Sequence, residues 1–110
     1  MIEEILIKER SFIARIAAKK LRCCQIAIVI GKNIHLHNTS KQEFISNARW
    51  VRHEMVHIDQ FRRYGYLKFA LMYTIESIRK GYWNNRFEVE ARLAETNESI
   101  QLPQTEISVQ

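Results

Sequence analysis

Hydrophobic and polar positions follow two different periods along this chain, and the changes of period mark its elements. From about Lys8 to Leu21, the residues Phe12, Ile13, Ile16, Ala17 and Leu21 form one stripe, with Lys and Arg opposite. That pattern predicts an amphipathic N-terminal helix. Cys24 to Ile30 is rich in β-branched residues and ends at Gly31. Gly31-Lys32-Asn33 reads as a turn, and Ile34-His35-Leu36-His37 then alternates with period two. The pair predicts a hairpin whose second strand is a half-exposed edge. Asn38-Thr39-Ser40 with Glu43 has the form of a capping box, and no Gly or Pro follows before Gly65. One long helix is expected from there to about Tyr64, with Phe44, Ala48, Val51, Met55, Val56 and Phe61 facing the core. A core helix is expected from Tyr66 to about Lys80, stopped by Gly81, and a last helix from Arg86 to about Asn97.

These elements give an α+β class: an N-terminal helix, a short antiparallel sheet, a long helix, a core helix and a C-terminal helix. With 110 residues and no internal repeat, one domain over residues 1–97 is expected. Residues 98–110 are polar, include the only proline, Pro103, and lack a core pattern. They read as a tail, flexible or laid over the surface.

Charge and cysteines narrow the compartment more than the function. Seventeen Lys and Arg against twelve Asp and Glu leave +5, a weak preference for anionic partners without a basic tract. The basic flank of Arg49, Arg52, Arg62 and Arg63 reads as a solvated helix face rather than a nucleic-acid site. The acidic start Met1-Ile2-Glu3-Glu4 is unlike a signal peptide, and no run approaches the roughly 20 apolar residues of a membrane span. Cys23 and Cys24 are neighbours, too close for an ordinary disulfide, so a reduced cytoplasmic pair is expected.

The chemistry concentrates in His53-Glu54-Met55-Val56-His57. At about 100° per residue, His57 lies about 40° round the helix from His53, and Glu54 about 100° round. Two imidazoles one turn apart can grip one zinc ion, and the intervening carboxylate can take a proton from water beside it. A catalytic zinc usually has three protein ligands, and Phe87-Glu88-Val89-Glu90-Ala91 on the last helix offers Glu88 or Glu90 as the third.

His53-Glu54-x-x-His57 followed by Glu88-x-x-Ala91 resembles the gluzincin metallopeptidases, and the order of elements most resembles their minimal forms, the minigluzincins. The resemblance spans about Ile26 to Ala94 and implies Glu88 as the third ligand, with Glu90 about 200° away on the helix. In one respect the chain departs from several gluzincin families. Where they carry Asp or Asn four residues after the ligand Glu, Arg92 stands here.

The resemblance implies Zn²⁺ as cofactor, a peptide or protein as substrate, and Glu54 as general base in hydrolysis by a metal-activated water. Tyr82, Tyr64, Tyr66 and His35 are the candidates to steady the oxyanion, and the Ile34–His37 strand is the candidate to pair with an extended peptide. His35 and His37 share a strand face and read as cleft-lining or solvent-facing rather than ligating. Leu102-Pro103 offers a segment that would block the cleft. Two other readings stand beside this one. The first is a non-catalytic zinc-binding interaction module, and the second an anion- or nucleic-acid-binding helical protein.

Overall fold

The computed structural model describes residues 5–100 and 107–109, with side chains over 5–100. The fold is α+β. In chain order it comprises β1 (Ile5–Lys8), α1 (Phe12–Leu21), β2 (Ile26–Ile30), β3 (Asn33–His37), α2 (Lys41–Ser46), α3 (Ala48–Tyr64), α4 (Tyr66–Asn84), α5 (Arg86–Ala94) and β4 (Ile107–Val109).

The sheet is mixed, in the order β2-β3-β1-β4. The expected hairpin is present, with Ile28 opposite His35 and Ile26 opposite His37. The expectation that its second strand is an edge is corrected: β1 pairs with β3 in parallel, placing Ile7 opposite Ile34. β3 is therefore interior, which is why His35 is only 6% exposed despite its polar side chain. Within the stretch read as a tail, β4 pairs with β1 in parallel. Leu102 and Pro103, the proposed cleft-blocking segment, lie outside the described residues.

One face of the sheet packs on α3. Ile5 and Ile7 of β1, Ile34 and Leu36 of β3 and Ala27 of β2 meet Phe44, Val51 and Ile58 in the main core. Strand alternation places these side chains on a common face, as period two requires. The opposite face carries α1, but in a phase the sequence pattern did not predict. Ala14 and Ala18 are buried, whereas Phe12, Ile13 and Ile16 are exposed. Two bonds set this phase: Ser11 N–H donates to Leu36 O at 2.9 Å, and the Ser11 hydroxyl bonds His35 Nδ1 at 2.8 Å. The alanines, having little bulk, let the helix lie close to the strands.

The expected long helix is two. Its capping box is present, with Ser40 accepting from Glu43 N–H and Glu43 reaching back to Ser40 N–H. Asn47 then leaves helical geometry, at φ −100° and ψ 91°, and its side chain caps α3 by accepting from Trp50 N–H at 3.1 Å. Gly65 ends α3 as expected, at a positive φ of 87°. Helix α4 is not the core helix the composition predicts. Phe69 alone in it is buried, while Leu67, Leu71, Ile75 and Ile78 face outward. Gly81, at φ 81° and ψ 164°, interrupts it where a stop was expected. Helix α5 is shorter than predicted, ending at Ala94.

Candidate metal centre

The site forms where α3 and α5 cross. The Asn47 cap fixes the start of α3, and the uninterrupted turns beyond it carry His53, Glu54 and His57. Asn85 fixes the start of α5. It is fully buried, its Oδ1 accepts from Phe87 N–H at 2.8 Å, and its Nδ2 donates to Tyr73 O at 3.1 Å and Ser77 Oγ at 2.8 Å. This capping residue thereby ties α5 to α4 and places Glu88 in the first turn of its helix. Phe87 packs against Phe69, with ring centroids 5.0 Å apart, and holds the same joint from its apolar side.

Glu88 meets both imidazoles. Its Oε1 lies 3.1 Å from His53 Nε2, and its Oε2 lies 3.1 Å from His57 Nε2. The three ligand atoms are all within 4.8 Å of one another. Zinc bonds of about 2.0–2.1 Å in a tetrahedron separate neighbouring ligand atoms by roughly 3.3 Å, and each imidazole lies 3.1 Å from one oxygen of Glu88. Two nitrogens and one carboxylate oxygen also form the donor set zinc favours. The residues fit the ion. Glu90 does not join them: its side chain is nearly half exposed and turns to Arg63 and Gln60.

Each imidazole is oriented from behind. His53 Nδ1 donates to Glu95 Oε2 at 2.9 Å, and His57 Nδ1 donates to Gln60 Oε1 at 2.8 Å. Such partners fix the ring orientation and reserve Nε2 for a metal. Gln60 is fully buried and completes its bonding through Nε2, which donates to Phe87 O and Glu90 Oε1. Arg92 takes no part, because its guanidinium lies over the Trp83 ring and donates to Trp83 O. The carboxylate absent from position 92 is supplied by Glu95, one turn further along. Glu95 had a usable signal, since seven residues after Glu88 is about 20° from the same helix face. Gln60 stands in the same relation to His53. Tyr73, whose hydroxyl donates to Glu88 Oε2 at 2.5 Å, was not foreseen as a partner of the carboxylate.

The electrostatics follow from these contacts. Burial opposes charge on His53, yet hydrogen bonds to Glu88 and Glu95 and the nearby Glu54 outweigh it and raise the ring to about 9. His57 is raised for similar reasons, again against burial. Burial opposes ionisation of Glu88 as well, but the two imidazoles hold its carboxyl well below the ordinary range. Glu54 is 5% exposed and differs in kind: burial pushes its carboxyl up to about 7, although the histidine charges pull the other way.

These groups lie along a cleft of about 430 Å³ between β2 and α4. Residues Ile26 to Val29 of β2 form one wall and Phe69 and Tyr73 of α4 the other. Tyr82 also lines it, and burial followed by the Glu88 charge pushes its hydroxyl further from ionisation. Of the other oxyanion candidates, His35 points to Ser11 beneath α1, and Tyr64 packs between Phe69 and Phe87. Tyr66 packs on Phe61. None of these three lines the cleft. The strand beside the cleft is β2, which has an unpaired edge among the described residues, rather than β3. No protein-family model, curated protein or solved structure matches this chain.

Proposed function

We propose that this chain is a zinc-dependent metallopeptidase of the gluzincin kind. The observation that carries the reading is a single carboxylate, Glu88, set 3.1 Å from both Nε2 atoms, with Glu54 buried beside it at the floor of an apolar-walled cleft. His53, His57 and Glu88 would hold the ion. Zinc, when bound, supplies a Lewis-acid charge that lowers the pKa of water toward about 7.

The chain's own groups account for the remaining work. Glu54, buried beside the two imidazoles and lining the cleft, is placed to take a proton from water and pass it to the leaving amine. The Tyr82 hydroxyl, kept protonated by its surroundings, is the candidate donor to the developing oxyanion. The free edge of β2 offers backbone groups to an extended peptide, and the aliphatic wall accepts its apolar side chains.

The test pairs metal analysis of the purified protein with cleavage of a quenched-fluorescence peptide library. One zinc per chain with chelator-sensitive turnover is expected. Stoichiometric zinc without turnover would assign the chain to the non-catalytic zinc-binding class, and absence of both would remove the proposal.

A further inference from the structure

Helix α1 turns to solvent the side that it does not give to the sheet. Phe12 is 71% exposed, Ile16 52% and Ile13 46%. At about 100° per residue, Phe12, Ile16 and Lys20 run along one line, with Arg15 and Lys19 on one flank and Ile13 on the other. Between Arg10 and Arg22 the chain carries five cations and no acid. All five are exposed, and none forms an ion pair among the described residues.

Several cations elsewhere on the surface are paired with acids. Arg63 bonds Asp59 and Glu90, Lys80 and Arg86 share Glu76, and Arg49 reaches Glu95. The twelve Lys and Arg outside Arg10–Arg22 are balanced by the twelve acids of the chain. The net charge of +5 is thus equal to the charge of this one segment. A helix face that combines three large apolar side chains with uncompensated Lys and Arg has the composition of an interfacial helix. A nucleic-acid surface would use the cations and could stack a base on Phe12, but it would leave Ile13 and Ile16 without apolar burial, which a bilayer supplies to all three.

We propose that α1 docks this protein on an anionic lipid bilayer. Phe12, Ile13 and Ile16 enter the boundary between headgroups and acyl chains, and Arg10, Arg15, Lys19, Lys20 and Arg22 meet lipid phosphates. The attachment is peripheral: no helix among the described residues is long and apolar enough to cross a membrane. It does not depend on the metal centre, which lies on the other face of the sheet.

Vesicle co-sedimentation of the full chain tests this, using phosphatidylcholine vesicles with and without phosphatidylglycerol. Retention on the anionic vesicles alone is expected, weakening as salt rises. K19Q/K20Q should lower the partition coefficient about fivefold per cation. F12S/I16S should lower it at least tenfold, roughly the worth of the lost apolar burial. Both pairs are exposed, and unfolding midpoints equal to that of the parent chain confirm intact folding; R15Q with K19Q replaces any variant that fails this check. Four results would overturn the proposal. They are no retention on anionic vesicles, equal retention on neutral ones, F12S/I16S binding unchanged beside tight duplex-RNA binding, or a dimer that F12S/I16S dissociates without any vesicle binding.

Discussion

Replacing Gln60 by alanine isolates the support beneath the proposed metal ligands from those ligands themselves. The side chain is fully buried and makes three bonds, one to the ring of His57 and two through Nε2. Its removal strands one buried group, the His57 Nδ1–H, because the Phe87 carbonyl keeps its helical bond within α5. Glu90 keeps access to water and to Arg63. A stranded buried donor costs about 1–3 kcal/mol, so the metal-free protein should lose about that much. The cavity left by the shorter side chain adds to this loss. At 110 residues, 2 kcal/mol corresponds to a Tm lower by about 8 °C, readily seen in thermal unfolding with chelator present. Zinc affinity, measured by competition with a chromophoric chelator, should fall about 10–100-fold because His57 is no longer oriented. Glu90→Gln, which disturbs only the solvent end of the same network, should stay within about 0.5 kcal/mol of the parent protein. If Gln60→Ala matched the parent in both stability and zinc affinity, the assignment of Gln60 as the support of His57 would be wrong.

Glu54→Gln should retain zinc while peptide cleavage falls about 10²–10⁴-fold; an active variant would exclude Glu54 as the base. With His53 protonated up to about pH 9 in the metal-free protein, zinc uptake at pH 7 must expel at least one proton, measurable by calorimetry in buffers of different ionisation enthalpy. The same raised pKa stabilises the metal-free fold fully below about pH 6.5 and ceases to do so as pH rises through about 9. Its unfolding midpoint should therefore fall over that interval, and a rise would contradict the His53–Glu88 and His53–Glu95 pairs. Ala18→Leu, placed where α1 lies against the sheet, should cost about 1–3 kcal/mol by overpacking, whereas Ile16→Leu on the exposed side should be neutral in chemical denaturation.

The parts of the molecule legible in the sequence are those whose cause is local. The hairpin, the Gly65 stop and the capping box at Ser40 each depend on a few consecutive residues, and each is present. The imidazole pair is equally local, because helix geometry alone puts His53 and His57 on one side of α3. Less legible was whatever depended on a distant neighbour. Hydrophobic periodicity gave the stripe on α1 but not its direction, which two bonds from Ser11 to β3 decide. Alternation in Ile34–His37 suggested an edge, and only the later pairing of β1 shows it to be interior. The break at Asn47 was missed for a different reason. Asparagine is a good helix cap, but nothing nearby signals that the chain must turn there. Glu88 was readable because the resemblance supplied a register, whereas Glu95 and Gln60 required the crossing of α3 and α5.

That crossing also makes the proposed ligand set a property of the folded state rather than of any one segment. Glu88 lies 35 residues from His53, and Gln60 lies 27 from Phe87, so an unfolded chain holds neither geometry. Helix α4, with Phe69 alone buried, contributes little apolar burial to the joint. The hold on α5 therefore comes from its packing on α3 through the buried Ala91 and Ala94, from Asn85 and Phe87, and from the contacts of Glu88 with the two imidazoles. An ion that replaces the protons between those imidazoles and Glu88 would strengthen this joint in proportion to its affinity, because it binds the folded chain alone. Metal content should consequently shift the stability of the whole α3–α5 unit, and most strongly where Gln60 or Glu95 has been left in place to orient the rings.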